Sequence, residues 1–165
     1  MTYTLIDSVT LATSASSVTF SAIPQTYGDL VLAVVAKPDA TGAKSLRYRI
    51  NGDTGANYRY VVMYGNGSSA SSSSSTGATS ITFAIGGATE SAGNTQGISQ
   101  IIGYSETDKH KPILNRGNDV TGTYASVDCS AYRWVNTSAV TSLEISLSSS
   151  NLDVGSTFYL YGIEA

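Results

Sequence analysis

The sequence predicts an all-β protein, a single-domain antiparallel β-sandwich that is jelly-roll-like and spans residues 1–165. Three observations predict this fold. Short runs of alternating apolar and polar residues recur along the chain, clusters of Gly, Ser, Asn and Asp separate them, and no stretch has the period of an amphipathic helix. Counting the runs predicts about nine or ten strands, which two sheets that each bury one face can accommodate. A length of 165 residues is that of one domain.

The first half of the chain opens with two predicted strands, 3–11 and 17–23, which meet at a small-residue hairpin or corner. Residues 30–36 form a continuous apolar run rich in β-branched side chains. Such a run is typical of a central strand that is covered on both faces. Residues 46–50 alternate apolar side chains with two arginines, which predicts one buried face and one face lined by guanidinium groups.

Residues 48–64 are the most informative stretch, because two strand patterns flank the turn sequence Asn-Gly-Asp-Thr-Gly. The second of these strands places Tyr58, Tyr60 and Tyr64 on one face. The turn spacing resembles the start of a calcium loop, but the later glutamate ligand is absent and the next residues continue as a strand. The turn is therefore predicted to connect a hairpin and to bind no metal.

The second half begins with a Gly- and Ser-rich segment at 65–80 that is too polar to bury, and it predicts a long surface loop. Pro112 predicts an edge strand, because proline lacks the N–H that an interior strand donates. The remaining alternating or apolar runs predict strands near 81–85, 98–104, 112–114, 124–134, 143–147 and 157–163.

Composition narrows the classes of partner. Charged residues make up 13% of the chain, the formal net charge is −3, and Lys and Arg are not clustered, which argues against nucleic acid as a partner. A surface dressed with Ser, Thr, Gly and Tyr suits packing against other subunits, and equally suits a solvated β-domain. No apolar run approaches a membrane span and no signal peptide begins the chain, so synthesis in a cytoplasm is expected.

The sequence contains no recognisable set of catalytic residues. Cys129 is the only cysteine and is predicted to be a small buried side chain in a strand. His110 is the only histidine and lies in a charged segment that predicts a solvated loop. The acidic residues are dispersed in turns without an evident carboxylate pair, and no G-x-S-x-G sequence occurs. The sequence therefore predicts a protein that is not an enzyme and has no cofactor, metal or catalytic site.

Tyrosines are the candidate contact residues, because their rings are large and stiff and their hydroxyl groups tolerate water. They could stack on sugar rings, anchor a subunit interface, or fill the core of the sandwich. For the pair near the C-terminus, Phe158 and Leu160 compete with the tyrosines for the inward face. The candidates for subunit or glycan contact are Tyr58, Tyr60, Tyr64, Tyr159 and Tyr161.

Several turn and strand signatures together resemble one family. They are IPQTY at 23–27, DLVL at 29–32, RINGDTGANY at 49–58, GNGS at 65–68 and GSTFYLYGI at 155–163. Distributed over almost the whole chain, they resemble a family of small virion structural proteins of tailed bacteriophages. Some members of that family resemble the decoration, or cement, proteins of the capsid. The motifs match no catalytic residue of the family.

The resemblance implies a virion protein on the outer capsid surface that binds the major capsid protein and stabilises the shell. A homotrimer is expected, because cyclic symmetry lets weak contacts add. The alternative is a tail-fibre or receptor-binding module that recognises a host cell-surface glycan through exposed tyrosines. Neither role involves nucleic acid or a membrane.

Overall fold

A computed structural model describes residues 2–40, 44–83, 95–118 and 126–164. These residues form twelve antiparallel strands in two sheets and contain no helix, so the all-β prediction is confirmed. The strands outnumber the predicted nine or ten. In chain order they are β1 (Tyr3–Thr10), β2 (Ser17–Phe20), β3 (Asp29–Ala36), β4 (Leu46–Ile50), β5 (Tyr58–Gly65), β6 (Ala70–Ala78), β7 (Ile81–Thr82), β8 (Thr95–Ile102), β9 (Lys111–Asn118), β10 (Val127–Trp134), β11 (Leu143–Leu147) and β12 (Thr157–Ile163).

The larger sheet has eight strands in the order β1-β12-β3-β8-β9-β10-β5-β6, and the smaller has four in the order β2-β11-β4-β7. Because β1 and β2 belong to different sheets, the segment between them is a corner. The strands β4 and β5 are also in different sheets, so the predicted hairpin was wrong. The turn between them has positive φ at Asn51 (52°) and Gly52 (67°), a pattern of type I′ turns, and it carries the chain from one sheet to the other.

The core lies between the two sheets and takes side chains from both. The hydroxyl groups of Tyr48 on β4 and Ser99 on β8 are 2.5 Å apart, which joins the sheets by a buried hydrogen bond. This arrangement is compatible with the predicted β-sandwich. The largest fully buried side chains are Trp134, Tyr48, Tyr58, Tyr104, Phe20, Phe83, Lys111 and Phe158.

Strand β3 is an interior strand between β12 and β8, as its apolar run predicts. Leu30 and Leu32 point into the core and are fully buried. On the opposite face Val31 is buried, but Ala33 and Val35 are only half-buried. The prediction that both faces of β3 are covered is therefore correct for the face toward the core and only partly correct for the opposite face.

Strand β6 corrects the prediction of a surface loop at 65–80. Residues 70–78 pair antiparallel with β5, and of the predicted loop only 66–69 and 79–80 lie outside strands. The segment does lie on the surface, since nearly all of its side chains are exposed. A strand needs no apolar side chains where its backbone can complete the hydrogen-bond ladder of a neighbour, and β5 supplies that ladder.

Strand β9 corrects the prediction of an edge strand at Pro112, because β9 lies between β8 and β10. Pro112 is paired with Arg133 of β10. The pairing of β9 with β8 begins only at Ile113, so the missing N–H of the proline leaves no gap in that ladder.

Lys111, the first residue of β9, is fully buried, whereas the adjacent His110 is exposed as the sequence predicts. The Nζ of Lys111 donates to three backbone carbonyl oxygens, those of Glu106 (2.6 Å), Lys109 (2.9 Å) and Thr137 (3.2 Å). Burial lowers the pKa of the ammonium group, and the carbonyl dipoles compensate for lost hydration. This contact fastens the charged loop before β9 to the loop that follows β10.

Candidate functional site

The eight-stranded sheet exposes an unusual amount of apolar surface on the side that points away from the core, which we call the outer face. Ten large apolar side chains are exposed among the described residues, and nine of them point outward from this sheet, Val154 being the tenth. The nine are Tyr3, Leu5, Val61, Met63, Ile98, Ile102, Leu114, Val127 and Tyr159. Monomeric proteins rarely leave so many apolar side chains exposed together on one face.

Strand alternation explains how these residues come to point outward. Along β10, Asp128, Ser130, Tyr132 and Trp134 are buried, so the residues between them point outward. Cys129 is one of the outward residues and is exposed, which corrects the prediction that it is buried. Cys129 does lie in a strand, as predicted. Trp134 of the same strand points inward, so Cys129, five residues earlier, points outward.

The register makes the outer face continuous from strand to strand. Val61 of β5 is paired with Ala131 of β10, which is paired with Leu114 of β9. One row further along, Met63, Cys129, Arg116 and Ile98 follow one another across β5, β10, β9 and β8. Side chains directly opposite one another in a sheet are about 5 Å apart at Cβ, so each row forms a contiguous surface.

Three arginines are the charged groups of the outer face between β8 and β6. Arg59, Arg116 and Arg133 point outward from β5, β9 and β10, and all three are exposed. No Asp or Glu points outward from these five strands in the described residues, and none of the three guanidinium groups forms an ion pair there. Arg59 lies directly opposite Arg133.

On this face the described residues line a larger and a smaller hollow. The larger, about 650 Å³, is lined by outward residues that include Val35, Gln96, Ile98, Arg116 and Tyr159. The smaller, about 470 Å³, is lined by Arg59, Val61, Ser74, Thr76, Ala131 and Arg133, among others. Both volumes are within the usual range of ligand and side-chain pockets.

The tyrosines of β5 do share one face, as predicted, but it is the inward face. Tyr58 is fully buried, its hydroxyl accepts from the Ile50 N–H and donates to the Asp53 carbonyl, and burial raises its pKa to about 12. Tyr60 is half-buried with its ring 5.0 Å from that of Tyr132, and Tyr64 is also half-buried. Tyr58 is therefore a core residue and not a contact residue.

Tyr159 and Tyr161, in contrast, point outward and lie on the outer face. Phe158 and Leu160 occupy the inward positions of β12, which answers the question that the sequence leaves open. The rings of Tyr159 and Tyr161 stack at 6.4 Å between centroids, and the ring of Tyr3 meets that of Tyr161 edge-on at 6.5 Å. Of the five candidate tyrosines, these two point outward, and Tyr159 is exposed whereas Tyr161 is half-buried.

Asp53, in the turn that resembles a calcium loop, has a structural role. Its carboxylate accepts from the Trp134 indole (2.7 Å), the Asn57 amide (3.0 Å) and the Gly55 N–H (2.8 Å). Burial raises the pKa of this carboxyl, but the three hydrogen bonds outweigh burial and hold the pKa below its usual value. The described residues contain no group of three or more potential metal ligands, and no helix among them could cross a membrane.

Sequence reasoning missed most of the outer face, including Val61, Met63, Leu114 and Val127. The signal was present, because apolar side chains occur on both sides of β5 and at outward positions of β9 and β10.

No protein-family model matches this chain, and no curated protein is detectably similar to it in sequence.

Proposed function

We propose that this protein is a non-enzymatic structural component of a tailed-phage virion, and specifically a decoration protein of the capsid. The observation that supports it best is the concentration of nine of the ten exposed large apolar side chains on the outer face. An apolar surface of this kind is typical of a site that another protein covers. The resemblance of the turn and strand signatures to phage virion proteins supplies the identity of the partner, the major capsid protein.

We infer a jelly-roll architecture for the domain, and the strand orders support it. The large sheet contains the four neighbouring strands β1-β12-β3-β8, and the small sheet has the order β2-β11-β4-β7. Apart from the step from β4 to β7, successive strands of this set of eight alternate between the sheets, as in two nested Greek keys. The hairpins β9-β10 and β5-β6 then extend the large sheet beyond β8, and they widen the outer face.

On this proposal the protein acts by bridging subunits on the outside of the shell. A specific interface buries about 800 Å² on each partner, and the outer face of an eight-stranded sheet can provide it. Assembly as a trimer at a symmetry point would let three modest contacts act together by effective concentration. The shell then resists expansion because separating its subunits also requires breaking these contacts.

The experiment is reconstitution of virions that lack the protein, followed by heat or dilution stress and by reconstruction of the particle. The protein should rebind to the capsid and restore its stability, and the double variant Val61→Ser with Met63→Ser should fail to bind. A matched control, Thr19→Ala with Ser17→Ala on the four-stranded sheet, should bind normally. Virions that keep an unchanged capsid but lose fibres or host attachment would refute the decoration role.

The larger hollow favours one second candidate, a tail-fibre or receptor-binding module that recognises host glycan. Tyr159 offers a ring for stacking, and Gln96, Arg116 and Asn118 line the same hollow of about 650 Å³ with hydrogen-bonding groups. Binding of the isolated protein to a glycan array, abolished by Tyr159→Ala and retained by Tyr3→Ala, would support this function. Absence of binding across the array would leave decoration as the proposal.

A further inference from the structure

We propose that the surface that covers the outer face is an acidic one on the capsid shell protein, with a carboxylate bound between Arg59 and Arg133. This inference rests on the proposed function and names the chemistry of its partner. The occupant it excludes is a second copy of this chain docked through the same face.

The first argument is the pairing of Arg59 with Arg133, which lie directly opposite each other on β5 and β10. Like charges at opposed positions destabilise a sheet. Neither guanidinium group has an ion-pair partner in the described part of the chain, and the next strand places Pro112 beside Arg133. An anion between the two groups would turn this repulsion into attraction.

The second argument is the shape of the surface at this position. The pairing of β5 with β6 shifts register between Tyr58 and Tyr60, and bulges of this kind often lie next to binding sites, where they redirect side chains. The hollow of about 470 Å³ beside the bulge has the two arginines on its wall, together with Ser74 and Thr76, and Val61 and Ala131 among its lining residues. A carboxylate there can accept paired N–H bonds from a guanidinium group and hydrogen bonds from the hydroxyls.

The third argument is the sign of the charge. The whole chain has a formal net charge of −3, yet the outward side chains from β8 to β6 include three arginines and no acid among the described residues. Two copies joined through this face would bring six guanidinium groups into one interface, and like-charge contacts there oppose association. Between the arginines lie Val61, Leu114 and Met63, which suit an apolar protein surface better than a phosphate backbone.

The test measures binding of the purified protein to capsids that lack it, at several NaCl concentrations. The double variant Arg59→Gln with Arg133→Gln is compared with Arg47→Gln with Lys109→Gln, which changes net charge equally but lies outside the outer face. We expect the first variant to bind about tenfold or more weakly and to lose much of the salt dependence, and the control to bind like the wild type.

The outcomes separate this inference from the proposed function. If Arg59→Gln with Arg133→Gln binds like the control while Val61→Ser with Met63→Ser does not bind, the acidic partner is wrong and decoration stands. If both outer-face variants bind normally, the proposed docking through this face fails. If the wild type sediments as an oligomer that Val61→Ser with Met63→Ser dissociates, a second copy occupies the face and the inference is overturned. Urea unfolding should find the arginine variant no less stable than the wild type, because it removes a like-charge pair.

Discussion

The outward sides of the two sheets differ, although alternating strands build both. The four-stranded sheet presents Ser17, Thr19, Arg47, Arg49 and Glu144, and none of the exposed large apolar side chains. Its charges are partnered, since Arg49 lies 3.9 Å from Glu144 and the Arg47 Nε donates to Ser146. The outer face of the eight-stranded sheet has apolar side chains, and its arginines have no acidic partners in the part of the chain that the structure describes.

The difference teaches that apolar exposure is local and is not a consequence of composition. Both sheets come from one sequence with few charges, yet only one has an outward side suited to water. The four-stranded sheet therefore serves as an internal reference for what a solvated face of this protein looks like. The comparison is tested by variants that distinguish residues needed for the stability of the fold from residues of the outer face that are free to contact a partner.

The largest effect is expected on β12, where neighbouring side chains point to opposite sides of the sheet. Phe158→Ala should lower the free energy of unfolding by about 3–5 kcal/mol, because it opens a cavity in the core. Tyr159→Ala should lower it by less, about 1–2 kcal/mol, because Tyr159 points outward and keeps 36% of its surface exposed. Urea unfolding of the two isolated variants measures both values. Equal losses would mean that the outer face is part of the fold's own core.

A smaller effect is expected when a single hydroxyl is removed. Tyr58→Phe should lower the free energy of unfolding by about 1–3 kcal/mol, since the buried Ile50 N–H loses its acceptor and the Asp53 carbonyl loses a donor. Tyr161→Phe on the outer face is the matched control and should change it by about 0.5 kcal/mol or less. A larger effect at Tyr161 would contradict the assignment of its half-buried ring to the outward side of β12.

Acid should destabilise the isolated protein in part through Asp53, whose pKa is lowered together with those of Asp39 and Asp153. Because the folded pKa of Asp53 is below its unfolded value of about 3.9, its contribution is present above that pH and is lost as the pH falls toward the folded pKa. Asp53→Asn should therefore flatten the decline of unfolding free energy in this window. Thermal unfolding between about pH 5 and pH 2 checks this, with the exposed Asp108→Asn as the control. An identical decline in wild type and Asp53→Asn would exclude Asp53 as the titrating group.

The smallest effect is expected at the ion pair of the four-stranded sheet. Glu144→Gln should lower the free energy of unfolding by about 0–1 kcal/mol, because the pair with Arg49 is partly exposed and its separation is 3.9 Å. The difference should shrink further in about 1 M NaCl. Chemical unfolding at low and high salt measures it. A loss that salt does not reduce would indicate a packing role for Glu144.

The sequence allowed most strands to be predicted, because alternation at Leu143, Ile145 and Leu147 or at residues 157–163 depends on local pattern alone. Strand β6 escaped prediction because Ser-rich residues carry no apolar period, and its strand is stabilised by the ladder of β5. Sheet membership also escaped, since the Asn51-Gly52 turn is compatible with a hairpin and with a crossing between sheets.

The candidate site was harder to predict because its members are distant in sequence. Tyr58 and Tyr159 are both tyrosines in alternating strands, and only the register tells that one fills the core while the other faces outward. The pairing of Arg59 with Arg133 joins residues far apart in the chain, and no local pattern contains it. The sequence shows which side chains could form contacts. The side to which each one points, and the residues beside it, depend on the tertiary fold.

Lys111 has a consequence for the loops at its end of the sandwich. Its ammonium group, surrounded by the carbonyl oxygens of Glu106, Lys109 and Thr137, occupies the position that a bound cation takes in many ion-dependent loops. A covalently attached cation cannot diffuse away or be extracted by a chelator. We expect the shape of this end to be insensitive to the ionic composition of its surroundings.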